Sequence, residues 1–285
     1  MTGKNIKKPL RVDSHQHFWN YTSHEYSWID ESMEVLRRDF LPQELAGILL
    51  KHKMDGSIAV QARGSLVEND FLLKLSEDHQ SILGIVGWLD FFSDSFMHDL
   101  KRFNSYQKMK GYRAMVQDEP QPSKFLEDEI FNKGITLIQK CGKVYELLIR
   151  ENDLPAALSF CKRHDHGPIV LCHMGKPMVK SHIFGFWEDN LKKLASLSHV
   201  YVKISGIVTE ANWGKWTTQE LLPYFEKTIN FFGPQRVLFG SDWPVCLLSG
   251  TFDEVYSLAN EGAKILSKSE MDLFFGENAK RIYDL

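Results

Sequence analysis

Eight short runs rich in strand-forming residues recur along the 285-residue chain, at 10–15, 56–62, 82–90, 110–117, 143–149, 167–173, 200–206 and 236–242. Several are continuously apolar rather than alternating, the pattern of strands covered on both faces. Between them lie stretches with helical spacing. Residues 41–52 start on Leu-Pro and keep apolar residues on one face, as do 186–197. Residues 217–232 open on a Thr-x-x-Glu capping pattern, with Thr217 and Glu220 or the adjacent Thr218 as the cap. Eight strands alternating with helices predict a (β/α)8 TIM barrel. A doubly wound open sheet is the alternative, but no GxGxxG or P-loop follows the first strand. No linker or repeat interrupts the pattern, so residues 1–285 are expected to form one barrel domain. Residues 1–9 read as an N-terminal extension, and 252–285 as two closing helices with Gly276 near the break.

Composition narrows the function classes. A chain that is 43% hydrophobic and 25% charged can bury a large core. Its net charge of −3 offers no basic field for nucleic acid. No run reaches the length of a membrane span, and the basic N-terminus lacks an apolar signal core. The four cysteines (Cys141, Cys161, Cys172, Cys246) form no CxxC. The expectation is a reduced, soluble, cytoplasmic protein with no nucleic-acid or membrane partner, and the sequence leaves room for an oligomer. Seven tryptophans hint at a lined pocket.

In a barrel of this kind the chemistry sits at the C-terminal ends of the strands, and polar residues fall there regularly. In "VDSHQHFW" (12–19), alternation points His15 and His17 to the same side. Later strands end in Gln61 and Arg63, Trp88 and Asp90, Arg113 and Gln117, and His173; the seventh leads to Glu210 and the eighth to Asp242 and Trp243. Each has a bland reading taken alone. A strand-end histidine is often structural, Trp88 suits a core, Asp242 suits a helix cap, and Arg113 suits a surface pair with Asp118 or Glu119. Lys203, inside the seventh strand, must be partnered or functional if buried. Their joint occurrence favours a site.

These residues sit in "VDSHQHFW", "GWLD", "MVQDEP", "HMGKP", "KISGIVTEA" and "FGSDWPVC", which together, in order along the whole chain, resemble the amidohydrolase-related sugar lactonases. The resemblance implies a (β/α)8 barrel of the amidohydrolase type that opens a sugar-acid lactone to the hydroxy acid. It puts His15 and His17 in the HxH position, His173 at the strand-six histidine and Asp242 at the strand-eight aspartate. Arg113, Gln117 and Glu210 fall on substrate-side motifs. One departure is Leu171-Cys172-His173, where relatives commonly read Leu-Asp-His; alternation is expected to point Cys172 away from His173, toward the helices.

Lactone hydrolysis needs a base for water and fixed positive groups for the developing oxyanion. Asp242 is the candidate base; His15, His17, His173 and Arg113 are candidates to polarise the carbonyl. Gln61, Gln117 and Glu210 suit sugar hydroxyls, and Trp88 or Trp243 a ring face. No cofactor is expected to be required. His15, His17 and Asp242 are candidate ligands for one divalent ion, zinc above all, which would make the chain a mononuclear amidohydrolase or decarboxylase instead. A dinuclear site is disfavoured, since strands four and five offer no histidine and only Glu146. A non-catalytic binding barrel is the remaining rival.

Overall fold

In the computed structural model, which describes residues 8–181 and 183–285, eight parallel strands follow one another around a barrel. They are β1 (Val12–Gln16), β2 (Gly56–Val60), β3 (Ile82–Gly87), β4 (Met109–Ala114), β5 (Val144–Leu147), β6 (Ile169–Leu171), β7 (Val200–Ile204) and β8 (Val237–Phe239). Each pairs with the next in sequence. The ring closes at the C-terminal end, where Gln16 bridges Trp243, His17 N donates to Trp243 O at 2.7 Å and Asp242 N to His15 O at 2.8 Å. The expected barrel is therefore observed. Residues 1–7 of the N-terminal extension lie outside the described residues. Among the described residues no helix is long and apolar enough to cross a membrane.

The helices stand where their signals put them, at Pro42–Lys51, Gly185–Ala195 and Thr218–Phe232, the last with a reciprocal Thr217–Glu220 capping box. The closing segment is more broken than two helices. Phe252–Gly262 is followed by Lys268–Asp272, a π-helical turn at Leu273–Glu277, and Asn278–Tyr283. The break falls at Gly276 because the chain there presses on the residues leading into β1: a Cβ would lie 1.9 Å from the Leu10 carbonyl oxygen. Only glycine fits.

Alternation along the strands decides what enters the lumen. Val12, Ile58, Val60, Val86, Val144, Val170 and Leu238 form an apolar cluster with Ala279 and Tyr283 of the final helix. That helix plugs the barrel floor. Two residues beyond Val144 and beyond Tyr201, which packs against this layer, Glu146 and Lys203 face the lumen and pair at 2.5 Å, with Tyr283 Oη donating to Glu146 at 2.6 Å. Lys203 is thus partnered. On β1 a register shift between Asp13 and Gln16 breaks the alternation set by Val12 and turns His15 inward.

Cys172 corrects an expectation. It follows Val170 in alternation, so it faces the lumen rather than the helices, and its thiol donates to Glu146 Oε2 at 3.3 Å. His173 reaches the lumen by another route. The chain leaves β6 in a tight turn in which His173, Met174 and Lys176 all have positive φ (52°, 55° and 50°), and this turn swings the imidazole round.

Candidate active site

Three imidazoles converge on one carboxylate oxygen at the barrel mouth. Nε2 of His17, His15 and His173 lies 3.5, 3.8 and 3.9 Å from Asp242 Oδ1. Asp242 itself is left-handed, with φ of 59°, a conformation costing a non-glycine residue about 1–3 kcal/mol. Buried Asp13 holds it there from below. Its carboxylate accepts from Ser241 N (2.8 Å), Ser241 Oγ (2.5 Å) and His15 N (3.1 Å), tying the ends of β1 and β8 together. Gly206, with φ of 63°, packs under the same cluster. A Cβ there would sit 2.6 Å from His173 Nδ1 and 3.1 Å from Asp242 Oδ2, so a side chain would push the carboxylate and the histidine apart.

Each imidazole has a different second partner. His17 Nδ1 lies 2.8 Å from the Val60 carbonyl, which can only accept. Nδ1 therefore carries a proton, and Nε2 meets Asp242 Oδ1 lone pair to lone pair unless a proton or cation lies between them. His173 Nδ1 is 2.9 Å from Ser205 Oγ. His15 is the reverse of His17: Arg113 Nη1 lies 3.3 Å from its Nε2, and Lys203 Nζ 3.3 Å from its Nδ1. Burial, then Lys203 and the neighbouring histidines, pulls His15 well below its ordinary value. Burial likewise pushes His173 down to about 3. Burial raises the Asp242 carboxyl, but facing His173, His17 and Lys176 outweigh it and hold the group below its usual value. The result is an ionised carboxylate facing His15 and His173, both of which burial holds toward the neutral form.

The cluster opens into a cavity of about 340 Å³ lined by His17, Arg113, Gln117, His173, Glu210 and Asp242, a size suited to a small molecule. Arg113 is buried and is no surface ion pair; it donates to the Gln61 carbonyl as well as facing His15. Asp118 pairs instead with Arg150 at 3.4 Å. Glu210 lies on the wall, 3.6 Å from Lys176. Gln117 lines the cavity with Oε1 unpartnered.

Three expected substrate residues are not on the wall, which corrects the sequence reading. Gln61 alternates out of the lumen between Val60 and Ala62, and its amide donates to the Arg113 carbonyl at 3.1 Å. Trp243 also faces outward and packs against Phe18 and Phe40. The Trp88 indole packs over Gly64, where a Cβ would lie 3.1 Å from its Nε1. Arg63 pairs with Glu25 and Glu68 beside a second, open groove of about 520 Å³, where these charges satisfy one another. Sequence reasoning missed Lys176, Arg150, Trp28 and Trp213 on the cavity wall. Lys176 was within reach, three residues past His173 in the same motif; Trp28 was not, because the 17–41 loop that carries it has no periodic signal.

The donor set suits a divalent ion. Separations of 3.5–3.9 Å are too long for hydrogen bonds but close to the roughly 3.3 Å between neighbouring ligands of a tetrahedral ion with bonds near 2.0–2.1 Å. The tight trio is His15, His173 and Asp242, whose donor atoms all lie within 4.8 Å of one another. His173 thus joins the expected set, and His17 reaches the same oxygen.

Comparison with known proteins identifies the family. Residues 12–285 match the amidohydrolase family model. The chain is 40% identical to an L-fucono-1,5-lactonase of Burkholderia multivorans, covering 97% of this chain and 96% of that protein. It is 30% identical to an L-fucono-1,5-lactonase of Burkholderia ambifaria, covering 86% and 84%. A crystal structure of an amidohydrolase from Burkholderia multivorans with bound zinc superposes with a TM-score of 0.93 at 40% identity, over 97% of this chain and 99% of that one.

Proposed function

We propose that this chain, which belongs to the amidohydrolase family, hydrolyses a sugar-acid lactone of the L-fucono-1,5-lactone class to the open hydroxy acid. The observation that carries the reading is the convergence of His15, His17 and His173 on Asp242, with Arg113 behind His15, at the mouth of a cavity of about 340 Å³. The lactonase relatives supply the substrate class.

Asp242 acts as general base. Its lowered carboxyl is ionised at neutral pH, so it takes a proton from the attacking water and returns it to the ring oxygen as that leaves. Arg113, anchored on the Gln61 carbonyl, faces the carbonyl oxygen as charge develops, a role worth about 2.7–4 kcal/mol for one well-placed donor. The neutral His173 and the Nε2 edge of His17 complete the polar side of the cavity. Glu210, Lys176 and Gln117 line its wall and suit the sugar hydroxyls.

A divalent ion, zinc above all, would be held by His15, His17, His173 and Asp242 and would supply Lewis acidity at the carbonyl. Turnover does not require it in this reading. A lactone is an activated ester, and Asp242 with Arg113 already supplies base and charge.

The test is a pH-indicator screen of aldonolactones that includes L-fucono-1,5-lactone, where acid release reports turnover directly. Inertness toward every sugar lactone would remove the substrate class. Exhaustive chelation, with metal content measured by mass spectrometry, then tests the ion. Loss of activity restored by stoichiometric zinc would make the histidines ligands first.

A further inference from the structure

A histidine that ligates a metal through Nε2 ordinarily donates its Nδ1–H to a carboxylate or carbonyl, which fixes the ring and raises its basicity. His17 obeys that pattern, with Val60 O as its acceptor. His15 does not. The group nearest its Nδ1 is the Lys203 ammonium, 3.3 Å away, a donor with no lone pair to offer. A carboxylate stands just behind: Glu146 Oε2 is 3.8 Å from the same Nδ1. It is held off His15 because Oε1 receives both Lys203 Nζ (2.5 Å) and Tyr283 Oη (2.6 Å), while Oε2 accepts the Cys172 thiol (3.3 Å). The whole group is fully buried. On the far side of the ring the second cation, Arg113, faces the Nε2 lone pair that an ion would need.

We infer that Lys203, anchored in the barrel axis by Glu146 and Tyr283, is a positioning residue that fixes the His15 ring and holds down the affinity of the histidine–aspartate cluster for divalent metal ions. The ammonium acts in two ways. It occupies the place of the acceptor that would make His15 a good ligand, and it puts a positive charge on the side of the ring opposite the ion, where low polarity makes repulsion strong. With Lys203 removed, Glu146 becomes the acceptor behind His15 and completes a carboxylate–histidine–metal arrangement from residues already in place. Lys203 touches neither the cavity nor the reacting atoms, and its effect passes through His15.

The inference rests on the reading that the cluster accepts an ion, and is independent of lactone hydrolysis. The experiment measures the zinc dissociation constant of the full chain by competition with a chromogenic chelator. Lys203→Met is expected to bind zinc at least about tenfold more tightly than the wild type, and Lys203→Arg, which restores a cation, to return toward the wild-type value. Damage to the fold would loosen zinc, so tightening separates this role from a structural one. Unchanged or weaker binding in a folded Lys203→Met protein overturns the inference, as does a cluster that takes up no zinc in either protein; lactone turnover assayed alongside reports the proposed activity separately. If Lys203→Met does not fold because Glu146 is left unpaired, the neutral double variant Lys203→Met/Glu146→Gln decides. It is expected to bind zinc more tightly than the wild type by a smaller factor, and equal or weaker binding overturns the inference.

Discussion

His15 and His17 are two residues apart, point the same way and approach the same oxygen of Asp242, yet their surroundings are opposite. His17 lies between two acceptors, the Val60 carbonyl and the Asp242 carboxylate. His15 lies between two donors, Arg113 and Lys203. One ring invites a proton or a cation; the other is already flanked by fixed positive charge. The difference teaches that an HxH pair is not a unit. The partners are set by different strands: β2 and the end of β8, which flank β1, for His17, and the more distant β4 and β7 for His15. In the proposed reaction the acceptor side would supply base chemistry, and the donor side the positive field that an oxyanion needs.

Removing the acceptor side should have the largest effect. Asp242→Asn is nearly isosteric and should fold, yet it removes the proposed proton acceptor. We expect kcat to fall by about 10²–10⁴-fold with little change in KM. Steady-state kinetics check this, and retention of more than about a tenth of kcat would exclude Asp242 as the base.

Breaking the donor side comes next. Arg113→Met leaves His15 Nε2 without its cation and the Gln61 carbonyl without its donor. The expected loss in kcat is about 10²–10³-fold, the range for one preorganised donor. A loss of only a few-fold would place the oxyanion elsewhere.

Acid should sharpen the contrast through stability. In the folded chain His15 and His173 resist protonation, His173 down to about 3, chiefly because both are buried. The unfolded chain takes up those protons near 6.5. Their contribution is therefore complete above pH 6.5 and is lost as pH falls below it. Asp13 works the other way, since burial raises it to about 6. Below that value the folded state binds its proton first, and part of the loss is returned. Between about pH 7.5 and 5.5 the loss from the two histidines, to which His164, held down to about 4, adds, should exceed what Asp13 returns, a net loss on the order of 2 kcal/mol. Thermal melts read this directly. A Tm that is flat or rises over that interval would contradict the neutral, buried state of these rings.

The smallest effect tests a residue outside both halves of the comparison. Glu210 lines the wall beside Lys176 and touches neither histidine. Glu210→Gln should leave the best rate within about tenfold but reorder epimeric lactones by several-fold, because a site built for particular hydroxyls penalises those that leave its groups unpaired. An unchanged ranking in competition assays would remove Glu210 as a specificity residue.

Much of this was written in the order of residues. The alternation of apolar runs with amphipathic stretches determined eight strands and the barrel, because a strand covered on both faces needs a helix outside and a filled lumen inside. The strand ends named His15, His17, Arg113, His173 and Asp242, since every strand of a barrel presents its C-terminal end to one mouth. Direction was the harder quantity. Gln61 and Trp243 lie at the right depth but on the outer face, beside Val60 and Asp242, which face inward. Cys172 faces inward with Val170, while His173 arrives only through a left-handed turn that no periodicity announces. Local pattern determines which residues reach the mouth. Tertiary structure alone decided which of them face one another, and so which imidazole has an acceptor and which a cation, because those partners come from strands tens to hundreds of residues apart in the chain.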